Sequence, residues 1–172
     1  QPAGADADVQ GSGGYPDCGD VKSSCPKSMF HNIKTKPSSI QTELVAGLAK
    51  RAEKIRAGLV EPSRDNMLKV TNDGRRLALD QRLVDPMLPD DPDSKVNVCA
   101  GNIFRIWEEH ADTKAAQLCF CDISTPKNDG SFNVYDDMRE KLVRRGIPAE
   151  QIRFIHEEKT DAQKKELFAK VR

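Results

Sequence analysis

Neither sign of charge is in excess in this chain of 172 residues: 27 Lys and Arg face 27 Asp and Glu. No global positive field therefore draws in nucleic acid, and any phosphate contact has to come from a local patch. Long apolar runs are also missing. None approaches the roughly 18 residues of a membrane-spanning helix, and no basic-then-apolar leader stands before a cleavage site. The chain is expected to be soluble and cytoplasmic. Only three histidines occur, and none falls in a pattern that pairs a nucleophile with a base. The glycine-rich stretch from Gly11 to Gly14 lacks a following Gly-Lys-Ser/Thr and a preceding strand, so it reads as a linker rather than a phosphate loop. At 37% the hydrophobic content is low for a compact domain, and part of the chain is expected to be loosely held.

Five cysteines are present: Cys18, Cys25, Cys99, Cys119 and Cys121. Cys119 and Cys121 flank Phe120 in an apolar run. A strand there puts both on one face, as small core hydrophobes rather than a disulfide, and a reducing compartment is favoured. Cys18, Cys25 and His31 are too widely spaced for a structural zinc site and lack a fourth ligand, so reduced thiols are the simpler reading.

Residues 1–30, rich in Gly, Ser, Asp and Pro, read as a flexible lead-in. A helical section over 31–92 comes next. Ser38 with Gln41 forms a capping-box pattern, and Ile40, Leu44, Leu48, Ala52, Ile55 and Leu59 recur at helical spacing, which predicts a helix over about 39–58. Its other face carries Lys50, Arg51, Lys54 and Arg56. That is ordinarily a solvated surface, though it is placed to border a phosphate backbone. Pro62 interrupts, and Asp65 to Leu83 reads as short helical turns with cap chemistry at Thr71, Asn72 and Asp73. Pro86, Pro89 and Pro92 mark a surface connection.

From 93 to 172 the pattern changes. Ser94 caps a helix with a stripe of Cys99, Ile103, Ile106, Trp107 and His110. Gln117 to Ile123 is a continuous apolar run of strand length. Val134, Met138, Leu142 and Val143 define a helix that stops at Gly146 with Pro148 beyond. Ile152 to His156 reads as a second strand, and Thr160 with Gln163 opens a last helix through Leu167, Phe168 and Val171. Strand, helix, strand, helix implies parallel strands in an open α/β sheet, and two strands do not complete one. In such sheets ligands bind beyond the carboxyl ends of the strands. The loops there carry Ser124, Thr125 and Lys127, then His156 and Thr160, each leading to a helix N-terminus that favours an anion.

These residues carry a resemblance. The segment from Ala115 to Arg172, with its FCDISTP stretch, resembles the start of the second RecA-like lobe of superfamily-two helicases, near the Swi/Snf-type translocases. NIKTKPSSIQTELV and DNMLKVTNDGRRLALDQRLVDPMLPD are more narrowly similar to large proteins of bacterial mobile elements and phages that join an adenine-N6 DNA methyltransferase region to a helicase region. The resemblance implies a partial RecA-like α/β lobe inside an ATP-dependent DNA helicase or translocase, with the first RecA-like lobe of the same protein and the DNA backbone as partners. It assigns Leu118 to Pro126 to the motif near the nucleic-acid backbone and matches His156 and the helix from Thr160 to the segment that follows, with Lys164 as its basic position and the Gln displaced to Gln163; together with the loop donors above, Ser124, Thr125, Lys127, His156, Thr160 and Lys164 are the expected nucleic-acid contacts. ATP and Mg belong to the parent protein. The phosphate cradle, metal-binding carboxylate and arginine finger of phosphoryl transfer do not occur in this sequence, so it is expected to have no cofactor and no ATPase activity of its own. The competing reading is a non-catalytic α/β interaction or regulatory domain.

Overall fold

Capping chemistry decides where the helices begin. In the computed structural model, which describes residues 29–127 and 129–171, α1 spans Ser39–Arg56, and Ser38 and Gln41 close a reciprocal capping box. α2 spans Met67–Leu79 behind the Asn66 cap, and α3 spans Lys95–Glu109 behind Ser94. α4 is Val134–Arg144 behind Asn133, and α5 is Asp161–Val171. Short 3-10 turns cover Gln81–Leu83, Ala149–Gln151 and Ile155–Glu157. The chain divides into two units, Gln1–Ile33 and Lys34–Arg172, and the second holds all of these elements. Among the described residues no helix is long and apolar enough to cross a membrane.

α1 and α2 form a helical hairpin. Val70 and Leu77 are buried on α2, while Leu44, Leu48 and Ile55 are half-buried on α1. Arg51 fastens the pair, donating from Nε and Nη2 to the two carboxylate oxygens of Asp65 and from Nη1 to Asp73 at 2.8 Å. Two buried glutamines tie the hairpin together and to the turn after α2. Gln41 donates to the Leu77 carbonyl at 3.0 Å, and Gln81 accepts from the Ser38 hydroxyl and donates to the Pro89 carbonyl.

α3 packs on α4 around Ala100, Leu142 and Ile147, with Ile103, Phe104, Trp107, Met138 and Ile152 against that cluster. α4 ends in a Schellman turn. Gly146 has φ +108°, its N–H bonds the Val143 carbonyl, and the Ile147 N–H bonds that of Leu142. A charge network sits between the two halves. Arg82 contacts Asp80, Asp90 and Asp137, while Lys141 contacts Asp90 and Asp137.

The expected α/β sheet is absent: the described residues form helices and turns and contain no strand. Gln117–Ile123 forms no strand and makes no backbone hydrogen bond to another segment among the described residues. Ile152 to Phe154 is extended only as far as the 3-10 turn over Ile155–Glu157. A strand is stable only when a neighbour takes up its N–H and C=O groups. Here the residues that would have faced a sheet pack on helices instead, Ile152 against the α3–α4 cluster and Phe154 against Tyr135. The partial RecA-like lobe is therefore not what this chain forms.

Smaller differences have equally local causes. Asp65 to Leu83 is one helix with a trailing turn, because Asn66 caps it and Thr71 is satisfied inside it by donating to the Met67 carbonyl. α3 buries Val96 and Ala100, and His110 is an exposed C-cap rather than part of the stripe. Leu59 is 75% exposed beyond the end of α1. Cys119 is exposed rather than a core residue. Residues 1–28, including most of the lead-in together with Cys18 and Cys25, lie outside the described residues; His31 is exposed.

Candidate functional site

The apolar run Gln117–Ile123 forms neither helix nor strand, bends at Ile123 and is held by side chains at its ends. Gln117 donates from its amide to the Ile103 carbonyl of α3 at 3.0 Å, and Asp122 accepts from Arg75 of α2 at 2.7 Å. The Tyr135 hydroxyl of α4 donates to the Cys121 carbonyl. Burial pushes the Tyr135 phenol above its ordinary value, nearby Cys121 adds to this, and Thr125 partly offsets it. Between these anchors Leu118, Cys119 and Phe120 are all exposed. Cys119 turns towards Cys99 on α3, while Leu118 and Phe120 point outward, 71% and 90% exposed. None of the amides of 117–123 bonds another backbone group among the described residues. A strand-length segment whose amides have no backbone partner and whose outer side is apolar has the chemistry that adds to a sheet edge.

The loop residues expected to meet phosphate are used elsewhere. Ser124 adopts a left-handed φ of +69° and its Oγ accepts from the Val134 N–H at 3.0 Å, so it closes the first turn of α4 alongside Asn133. Thr160 caps α5, its Oγ1 accepting from the Gln163 N–H, while the Gln163 side-chain carbonyl accepts from the Thr160 N–H. Both helix N-termini thus have donors satisfied by the chain itself. Thr125 and Lys127 are not drawn into either cap, and Lys127 is exposed. Lys164 lies 3.7 Å from Asp161.

Tyr135 gathers part of this set. His156 meets its ring edge-on at 5.0 Å and stacks on Phe154 at 5.4 Å, while Arg139 lies over Phe154 and pairs with Glu157. Ser124, Thr125 and His156 therefore surround the start of α4, whereas no contact joins Lys127 or Lys164 to them among the described residues.

A second feature is not assembled by the sequence pattern. Arg51, Arg64, Lys69 and Arg76 line an open cleft of about 420 Å³ with Asp65 and Asp73. Arg51 is committed to the two carboxylates, and Lys69 bonds the carbonyls of Ser63 and Arg64. Arg64 is exposed, and Arg76 is turned to the cleft without an ion-pair partner among the described residues. Separate turns over 65–83 would not create the single helix face that brings these cations together. The outward set of Leu118 and Phe120 is legible in the two-residue alternation Leu-Cys-Phe-Cys, although the same run also suits a strand covered on both faces. Among the described residues no cluster of three or more His, Cys, Asp and Glu is arranged to hold a metal.

Comparison with protein-family models, with curated proteins and with solved structures finds no match to this chain.

Proposed function

We propose that the chain is a non-catalytic interaction module that lends Gln117–Ile123 to the open edge of a partner protein's β-sheet. The exposure of Leu118 and Phe120 on a segment whose amides have no backbone partner carries this reading. An existing sheet is the occupant that fits, because two isolated strands are marginal in water. Sheet addition supplies main-chain hydrogen bonds for affinity and pockets for alternate side chains for specificity. The test mixes the full chain with a head-to-tail cyclised hairpin peptide of alternating Val and Thr, a model sheet edge, and follows amide hydrogen exchange. Protection along 117–123 that depends on Phe120 supports the reading. Binding elsewhere, or none, overturns it.

The α1–α2 cleft favours a second reading. Here the chain contributes phosphate-backbone contacts to an ATP-dependent DNA translocase of the kind its sequence resembles, with ATP and Mg bound elsewhere in that protein. Arg64 and Arg76 then replace Lys127 and Lys164 as the residues to test. Phosphate contacts lower affinity alike for all sequences when removed, and they flatten its salt dependence. Duplex DNA titrated into Arg64→Ala/Arg76→Ala and Lys127→Ala/Lys164→Ala distinguishes the cleft from the loops. Salt-sensitive binding that neither pair alters rejects both.

A further inference from the structure

Two thiols 20 positions apart, one on α3 and one within the segment 117–123, face one another. Cys99, half-buried on α3, and exposed Cys119 stand with their sulfurs 4.0 Å apart and share a hydrogen bond. Cys121 is occupied differently, donating its S–H to the Ile123 carbonyl at 3.1 Å. The segment is also anchored through Gln117, Asp122 and the Cys121 carbonyl, none of which involves the sulfurs of the pair.

We infer that Cys99 and Cys119 form a dithiol that hydrogen peroxide converts to a disulfide, with solvent-facing Cys119 as the thiol that reacts first and Cys99 as the resolving one. In the first step the Cys119 thiolate attacks one peroxide oxygen. An S–O bond forms, the O–O bond breaks, and the departing hydroxide takes a proton to leave as water. Cys119 is then a sulfenic acid. In the second step the Cys99 sulfur, giving up its proton, attacks the Cys119 sulfur. The S–S bond forms, the S–O bond breaks, and the hydroxyl leaves as a second water. The sum is two thiols and one peroxide to one disulfide and two waters, the thiols losing two electrons that the peroxide gains.

The electrostatics suit those roles. The hydrogen bond from Cys99 holds the Cys119 thiol down to about 6 against the opposing effect of burial. The same bond, then burial, pushes Cys99 up. Cys119, the more exposed of the pair, is thus the thiol whose thiolate, the nucleophile, is favoured. Bond formation requires the sulfurs to close from 4.0 Å to about 2 Å. The segment that carries Cys119 has no backbone ladder to break, so the movement is local. Once formed, the bond fastens the middle of 117–123 to α3. The pair oxidises in this way whether or not the segment enters a sheet.

The experiment uses the full chain with Cys18→Ser and Cys25→Ser, treated with equimolar hydrogen peroxide, alkylated and mapped by mass spectrometry. A Cys99–Cys119 linked peptide that dithiothreitol releases is the expected product. Cys119 is expected to react a few-fold faster than Cys121, which is less exposed and has its S–H engaged by the Ile123 carbonyl. Cys99→Ser is expected to abolish the linkage and leave Cys119 as sulfenic and then sulfinic acid. Linkage of Cys119 to Cys121, or over-oxidation of Cys119 with Cys99 still present and free, overturns the assignment. Repetition with Cys18 and Cys25 restored checks that the same pair forms in the native sequence; capture of Cys119 by either of them would also overturn it.

Discussion

Arg82 and Asp137 stand 55 positions apart in sequence and meet through two parallel bonds, Nη1 to Oδ1 at 3.1 Å and Nη2 to Oδ2 at 2.9 Å. Arg82 is also forked onto Asp80, which is fully buried, and its guanidinium lies 4.4 Å from the centre of the Phe132 ring. This one side chain joins the turn after α2 to α4. Removing it leaves the fully buried Asp80 carboxylate without its cation, while Asp137 keeps Lys141, so Arg82→Ala is expected to cost about 3 kcal/mol. Arg82→Lys should recover only part of that, because an ammonium cannot fork onto two carboxylates at once. Urea unfolding of the two variants checks both statements.

Asp90 makes the same network sensitive to acid. Burial raises its pKa, but hydrogen bonds from Lys141 and Asn97 and the nearby Arg82 charge outweigh this and hold it below the usual carboxylate range. A folded pKa below the unfolded one stabilises the fold while the group is ionised. That contribution is complete above about pH 4 and is lost as pH falls through the lowered value. Asp90→Asn should therefore be less stable than the parent chain at pH 7, and the gap should close below about pH 4. Denaturation at pH 7, 5 and 3 measures it.

Two glycines separate backbone freedom from packing. A Cβ placed on Gly146 or on Gly101 meets nothing within 4 Å, but only Gly146, at φ +108°, is left-handed. Gly146→Ala should cost about 1–2 kcal/mol. Gly101→Ala, inside α3, should stabilise by about 0.5–1 kcal/mol. Thermal unfolding of the pair gives shifts of opposite sign.

The helices are legible wherever a cap and a stop signal enclose a periodic stretch. Ser38 with Gln41, Ser94, and Gly146 with Pro148 mark ends that the structure places within a residue or two. Gln41 and Gln81 are not legible as buried, because their burial depends on the Leu77 and Pro89 carbonyls, which come near only in the folded chain. The sheet fails for a related reason. An apolar run such as 117–123 favours an extended conformation, but whether it becomes a strand depends on a neighbour that no local pattern specifies. The candidate phosphate donors mislead because Ser124 and Thr160 have the same side chains whether they cap a helix or bind an anion, and here they cap α4 and α5.

The outward face of 117–123 permits the sharpest test. Leu118 and Phe120 are 71% and 90% exposed, so replacing them removes little native packing, and surface changes of this kind usually stay within about 0.5 kcal/mol. Burying a leucine or phenylalanine side chain against a partner contributes about 1.5–3 kcal/mol. Phe120→Lys should therefore leave urea unfolding unchanged yet weaken binding to the cyclised Val/Thr hairpin at least about tenfold, the equivalent of about 1.4 kcal/mol. Leu118→Lys should act in the same direction. Val143→Lys, at a partly exposed position on α4, is the control and should bind like the parent chain. A large loss of stability in Phe120→Lys would mean that the ring packs within the chain. Unchanged stability together with unchanged hairpin binding would mean that the segment is a surface strap held by Gln117, Asp122 and Tyr135, leaving the α1–α2 cleft as the surface to pursue.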